Sequence, residues 1–148
     1  MCWSRKVKTS SGLVIKPNNV PSLPSLETYN RALTFFIEEC AKVFDKAAVE
    51  KSLSTITVEW WDKIAPRPST GELNTVVVYD DVIYSGLTIG TLCLVAWRGK
   101  LSRSAFIHEL LHVIGCDIIG EADPEHLNDL LWKQLERDIN ARLSANQI

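Results

Sequence analysis

Residues 108–112 spell His108-Glu109-Leu110-Leu111-His112. On an α-helix, positions i and i+4 share one face, so this spacing turns His108 and His112 toward one metal ion. Glu109 follows His108 directly and stands beside that face. From there a carboxylate reaches a metal-bound water as general base without taking a coordination position itself. The flanks, Ala105-Phe106-Ile107 and Val113-Ile114-Gly115, are too apolar for a solvated surface helix. Two imidazoles and a carboxylate in such a segment need partners, because unpaired buried polar groups are costly. A metal ion supplies one. The remaining histidine, His126, falls fourteen residues after His112, far enough to return from a separate element as a third ligand. Three ring nitrogens, a water and a carboxylate are the parts of a hydrolytic zinc site.

Working outward, Ser102 or Ser104 is the expected cap of this helix, which is expected to end near Gly115. Beyond it, Asp123 reads as an N-cap with Pro124 at the first helical position. Leu127, Leu131, Leu135 and Ile139 then recur every four residues and predict a helix to about residue 144, with His126 in its first turn. Upstream, Leu87 to Trp97 reads as a strand interrupted by Gly90. Ser54 to Trp61, Leu73 to Tyr79 and Val82 to Tyr84 read as further strands, with a loop at Pro66–Gly71 and a turn at Asp80-Asp81. Tyr29, Leu33, Phe36, Ile37, Cys40, Ala41 and Phe44 mark an amphipathic helix from about 26 to 46, capped by Ser25, with a short helical turn at 47–53. Residues 1–24 carry Pro17, Pro21 and Pro24 and read as an extended arm ahead of a single domain over 25–148. The class is α+β: a helix, a small mostly antiparallel sheet, the motif helix and a C-terminal helix.

A chain of 148 residues suits one domain, and its 46% apolar and 23% charged residues are ordinary for a globular protein. The net charge of −2 makes no electrostatic case for nucleic acid as a partner. Arg98, Lys100 and Arg103 form a local basic cluster just before the motif helix, which reads as a solvated turn. No apolar run approaches the roughly 20 residues of a membrane span. Residues 1–16 lack the apolar core of a signal peptide, so a cytoplasmic location is the default expectation. Cys2, directly after Met1, leaves open a lipidated N-terminus whose signal was replaced by a start methionine. Cys40, Cys93 and Cys116 lie in apolar segments without C-x-x-C spacing, and are expected to be buried free thiols.

In layout over residues 26–144, and in the motif segment 104–126, the chain resembles the zincins, the fold of the H-E-x-x-H metallopeptidases. The resemblance implies a zinc-dependent peptidase with His108 and His112 as zinc ligands. It implies that Glu109 polarises the water and shuttles its proton to the leaving amine. It further implies that a sheet-edge strand beside the cleft binds the substrate backbone, for which Leu87–Trp97 is the candidate. Metzincins extend the motif as H-E-x-x-H-x-x-G-x-x-H or Asp. This chain keeps Gly115 at that offset but has Ile118 at the ligand position, with Asp117 one residue early. Gluzincins take a glutamate from a later helix, which points to Glu136. His126 fits better than either pattern, with Asp117, Glu121, Asp123 and Glu136 as the alternatives for the third ligand.

The segment also resembles the bacterial ribosomal-RNA maturation metalloproteins, whose motif is H-G-x-L-H-x-x-G-x-D-H. His108, Leu111, His112, Gly115 and Asp117 match it, while Glu109 and Ile118 depart. A carboxylate beside the metal suits amide hydrolysis and would repel a phosphodiester. A zincin-fold protein that keeps zinc without turnover is the rival to the peptidase, and Glu109 favours catalysis because a structural zinc site has no need of it. Tyr79 and Tyr84 are candidate oxyanion donors, although strand aromatics are more often structural. Trp60, Trp61, Trp97 and Trp132 read as core or cleft wall, and Asp117 as an acceptor that orients a ligand histidine. A peptide or protein substrate is implied, and nothing in the strands fixes its side chains.

Overall fold

The computed structural model describes residues 5–148, so Cys2 lies outside the described residues. The chain folds as an α+β protein. Ser25 accepts a hydrogen bond from the Thr28 N–H and starts α1 (Leu26–Cys40). Tyr29, Ala32, Leu33, Phe36 and Cys40 bury its apolar face. The stripe that predicts one helix to residue 46 is cut at Ala41, because Asp45 caps a new helix by accepting from the Ala48 N–H. That helix is α2 (Lys46–Leu53).

Among the described residues, eight strands follow or precede these helices: β1 (Val7–Lys8), β2 (Val14–Lys16), β3 (Thr57–Trp61), β4 (Lys63–Pro66), β5 (Leu73–Tyr79), β6 (Val82–Tyr84), β7 (Gly86–Ile89) and β8 (Leu92–Ala96). One sheet runs β1-β2-β3-β8-β7 and a second runs β4-β5-β6. Pairs β2–β3 and β3–β8 are parallel, and the other four are antiparallel. The expected single strand over residues 87–97 is instead the hairpin β7–β8. Gly90, at φ 62°, supplies the left-handed residue that reverses it. The arm before residue 25 contributes β1 and β2, with Leu13 and Ile15 buried. Asp80 and Asp81 both have positive φ, as a two-residue turn between β5 and β6 requires.

Side-chain alternation sorts the sheet into two faces. Val58, Trp60, Cys93 and Val95 join the helices in the main core, whereas Leu94 and Ala96 meet Val77 of β5 on the other face. Each fully buried large apolar side chain contributes about 1.5–3 kcal/mol. β8 is therefore sandwiched between helices and the second sheet. Burial pushes the Cys40 and Cys93 thiols up to about 12, so both are inert. Cys116 departs from expectation and is exposed.

The motif helix, α3, spans Phe106–Ile119. Trp60 stacks on Phe106, with ring centroids 5.8 Å apart, and anchors its start to the sheet. Neither serine caps it. Ser104 accepts from the Arg98 N–H and donates to the Lys100 carbonyl, closing the preceding loop instead. The helix runs four residues past Gly115 and stops at Gly120, which adopts the left-handed conformation at φ 74°. The C-terminal helix begins later than expected, as a π-helical segment over Leu130–Glu136 that continues into α4 (Arg137–Ala145). Leu131, Leu135, Ile139 and Leu143 bury its inner face, while Leu127 falls outside it and is exposed. No helix among the described residues is long and apolar enough to cross a membrane.

Candidate metal centre

His108 and His112 lie one turn apart on α3, and His126 arrives from the loop between α3 and the π-helical segment. The Nε2 atoms of all three converge: His108 to His126 is 3.0 Å, His112 to His108 is 3.2 Å, and His126 to His112 is 3.2 Å. Four nitrogens placed tetrahedrally at about 2.0–2.1 Å from zinc stand about 3.3–3.4 Å apart, close to this spacing. Outer partners fix two of the tautomers. His108 Nδ1 faces the Glu136 carboxylate at 2.5 Å, and His112 Nδ1 donates to the Ala122 carbonyl at 2.6 Å. With their protons on Nδ1, both rings present Nε2 lone pairs to each other. Such lone pairs repel unless a cation sits between them, so the donor set fits a divalent metal.

His126 is therefore not on a helix. It has φ 58° in a loop, where the expected cap geometry gives way to a different use of Asp123. That carboxylate accepts from the Leu127 and Asn128 N–H groups at 3.0 and 2.8 Å and from Trp132 Nε1 at 2.5 Å. Lost solvent pushes its carboxyl up, but these three donors and the neighbouring His126 together outweigh it and hold the group below the usual carboxylate range. The Trp132 ring packs against all three imidazoles, with centroids 4.6, 4.6 and 4.9 Å away. It does not line the cleft, so it backs the triad from the opposite side.

Two glycines set the approach of the chain to this site. A Cβ on Gly115 would lie 2.8 Å from the Glu121 carbonyl oxygen and 3.0 Å from Leu131 Cδ1. Its bare backbone lets the 121–128 loop fold back along α3, which delivers the Ala122 carbonyl to His112 and His126 to the triad. A Cβ on Gly86 would lie 2.8 Å from Glu109 Oε2, so this strand residue keeps the space before the carboxylate clear.

Glu109 is 4% exposed, and its Oε2 lies 4.0 Å from His108 Nε2. Thr88 of β7 donates to Oε1 at 2.8 Å. Burial pushes the Glu109 carboxyl upward, while Thr88 and His108 oppose that rise. His108 is raised: burial works against its charge, but the hydrogen bond it donates to Glu136 and the charges of Glu136 and Glu109 outweigh it. His112 is lowered, chiefly by burial and by the neighbouring rings. A cleft of about 440 Å³ opens over the triad, walled by Tyr84, Leu87, Thr88, Cys116 and Pro124 among others.

The alternatives for the third ligand take other places. Glu136 is the orienting carboxylate of His108, and Asp123 is the clamp of the His126 loop. Asp117 binds Ser52 at 2.6 Å and touches no ligand, so it does not orient one as expected. Glu121 is exposed and donates its N–H to the Gly115 carbonyl at 3.2 Å rather than offering its side chain to the metal. Tyr84 lines the cleft, whereas Tyr79 is half exposed at the far end of β5. Trp60 and Trp97 are core, as expected, and Trp132 is cleft backing. The Asp123 clamp was hidden because Asp-Pro reads equally well as a helix start.

The clamp makes a prediction. Asp123→Ala removes one acceptor shared by three donors and frees the His126 loop. Metal affinity should fall about 10–100-fold, as for other groups that position ligands. Titration against a competing chelator measures it, and an unchanged constant would show that the loop is held by other contacts.

Comparison of the chain with protein-family models, curated proteins and solved structures gave no match.

Proposed function

We propose that this chain is a zinc-dependent peptidase that hydrolyses peptide bonds through a metal-activated water, with His108, His112 and His126 as ligands and Glu109 as general base. The observation that carries the reading is the placement of the Glu109 carboxylate beside three converging Nε2 atoms. A structural site fills its positions with ligands and has no use for a buried carboxylate at its open side. Zinc, when bound, supplies a Lewis acid for the carbonyl and lowers the pKa of water toward about 7.

The chain supplies the rest. Thr88 occupies Oε1 of Glu109 and leaves Oε2 to take a proton from water and pass it to the departing nitrogen. β7 pairs with β8 on one side and borders the cleft, so its other edge suits an extended peptide backbone added as a strand. Only the β7 half of the expected 87–97 strand serves this purpose. The motif supports this reading beside the resemblance to zincins, and Asp117, bonded to Ser52, gives no support to the ribosomal-RNA maturation pattern.

The test is a digest of a broad peptide library by zinc-loaded protein, read by mass spectrometry. We expect defined cleavages that disappear with chelator and return with zinc. Absence of cleavage in a protein that holds one zinc per chain would assign it to the non-catalytic rival.

A further inference from the structure

A second cavity, of about 400 Å³, lies on the other side of Glu109 and His108, bounded by Ser85, Arg98, Arg103, Ser104 and Asn140. Gly86, His108 and Glu109 line both this cavity and the cleft over the triad. A substrate whose reacting bond faces Glu109 therefore has a neighbouring group within reach of the arginines. Glu136 also lines the cavity, but it is committed to His108.

Arg98 is poorly satisfied where it stands. One Nη donates to the Thr75 carbonyl at 3.0 Å, while Nε is buried with no partner. The Oδ1 of Asn140 is likewise buried without a partner. Among the described residues, no carboxylate comes within ion-pair distance of Arg67, Arg98 or Arg103. Burial and the charge of Arg67 both press against the Arg98 guanidinium. Arg98, pressed by Arg67 from outside the cavity, and Arg103 line this space with no carboxylate paired to either, and such unpaired guanidiniums call for an anion from outside.

We propose that the Arg98–Arg103 cavity binds a carboxylate of the substrate, so that the enzyme prefers peptide bonds next to an acidic residue or to the chain's own C-terminus. This rests on the peptidase reading for its substrate class. The guanidinium of Arg98 grips the carboxylate through its free Nη hydrogens, and Arg103 adds charge from the exposed rim.

Two measurements test it. In the first, zinc-loaded protein cleaves matched peptides carrying Glu or Gln beside the scissile bond, each with a free or amidated C-terminus. The carboxylate form should be favoured about tenfold to a hundredfold in kcat/KM. That ratio should fall toward one in Arg98→Gln and in Arg103→Gln, the latter an exposed residue whose loss leaves the fold intact. A preference for the neutral peptides, or a ratio unmoved in both variants, overturns the proposal while the peptidase reading stands.

The second needs no turnover. NMR follows the Arg98 Nε–H on addition of N-acetylglycine, N-acetylglutamate α-amide or N-acetylglutaminamide. Saturable shifts with the first imply a C-terminal carboxylate, with the second an acidic side chain, and none are expected with the third. If these shifts appear but no peptide is cleaved, the anion site stands and the peptidase reading falls. Shifts confined to the histidine rings, and unchanged in Arg98→Gln, overturn the anion site.

Discussion

Glu109→Gln should retain its zinc and lose peptide hydrolysis by about 10²–10⁴-fold, the range for removal of a general base. Glutamine keeps the size of the side chain, and its carboxamide oxygen still accepts from Thr88 Oγ1. The fold has little reason to change, because Glu109 makes no helix-helix ion pair and its nearest cation candidate is a ligand ring 4.0 Å away. What is lost is the basic Oε2, the atom facing the cleared space beside Gly86. Zinc content and melting temperature should match wild type, and kcat should carry the loss with little change in KM. Equal cleavage by the two proteins would mark a contaminating protease.

Which parts of this were readable in advance follows from how local their causes are. The two-histidine spacing on α3 needs only helical geometry, and His108, Glu109 and His112 stand where that geometry puts them. His126 converges with them although its predicted setting, the first turn of a helix, is wrong. The loop is shaped by side-chain bonds from Asp123 to Leu127, Asn128 and Trp132, and a tryptophan nine residues away is not a local signal. Glu136 shows the same limit. Its position on the C-terminal helix was visible, but whether it meets the metal or the back of His108 depends on how that helix lies against α3. The β7–β8 hairpin and the short strands β1 and β2 escaped because each is brief and its alternation is blurred by burial on both faces. Gly115 reads in the sequence as a motif glycine near the end of the helix, yet its use here is close backbone approach to residue 121.

Zinc should raise the melting temperature strongly at alkaline pH and hardly at all in acid, and His126→Ala should remove most of that effect. The triad joins α3 to a loop with little apolar anchorage beyond Trp132, since His126 and Leu127 are exposed. A ligand that binds only the folded state at a thousand times its Kd stabilises by about 4.1 kcal/mol. For a chain of this size, that is about 8–16 °C, at about 2–4 °C per kcal/mol. The pH dependence follows from the ring charges. Only neutral imidazole binds metal. His108 is held above its ordinary value, so protons begin to displace zinc at a higher pH than an ordinary histidine would allow. His112 is held below its ordinary value and resists protonation longer. In metal-free protein the His108–Glu136 pair acts in the opposite sense. Its contribution is complete below the unfolded histidine pKa and fades as pH rises through the raised folded value. The zinc-loaded and metal-free melting curves should therefore converge near pH 5 and separate most near pH 8. Scanning calorimetry of wild type and His126→Ala, with zinc or chelator across that range, measures the gap. A gap at pH 8 that survives in His126→Ala would remove His126 from the ligand set.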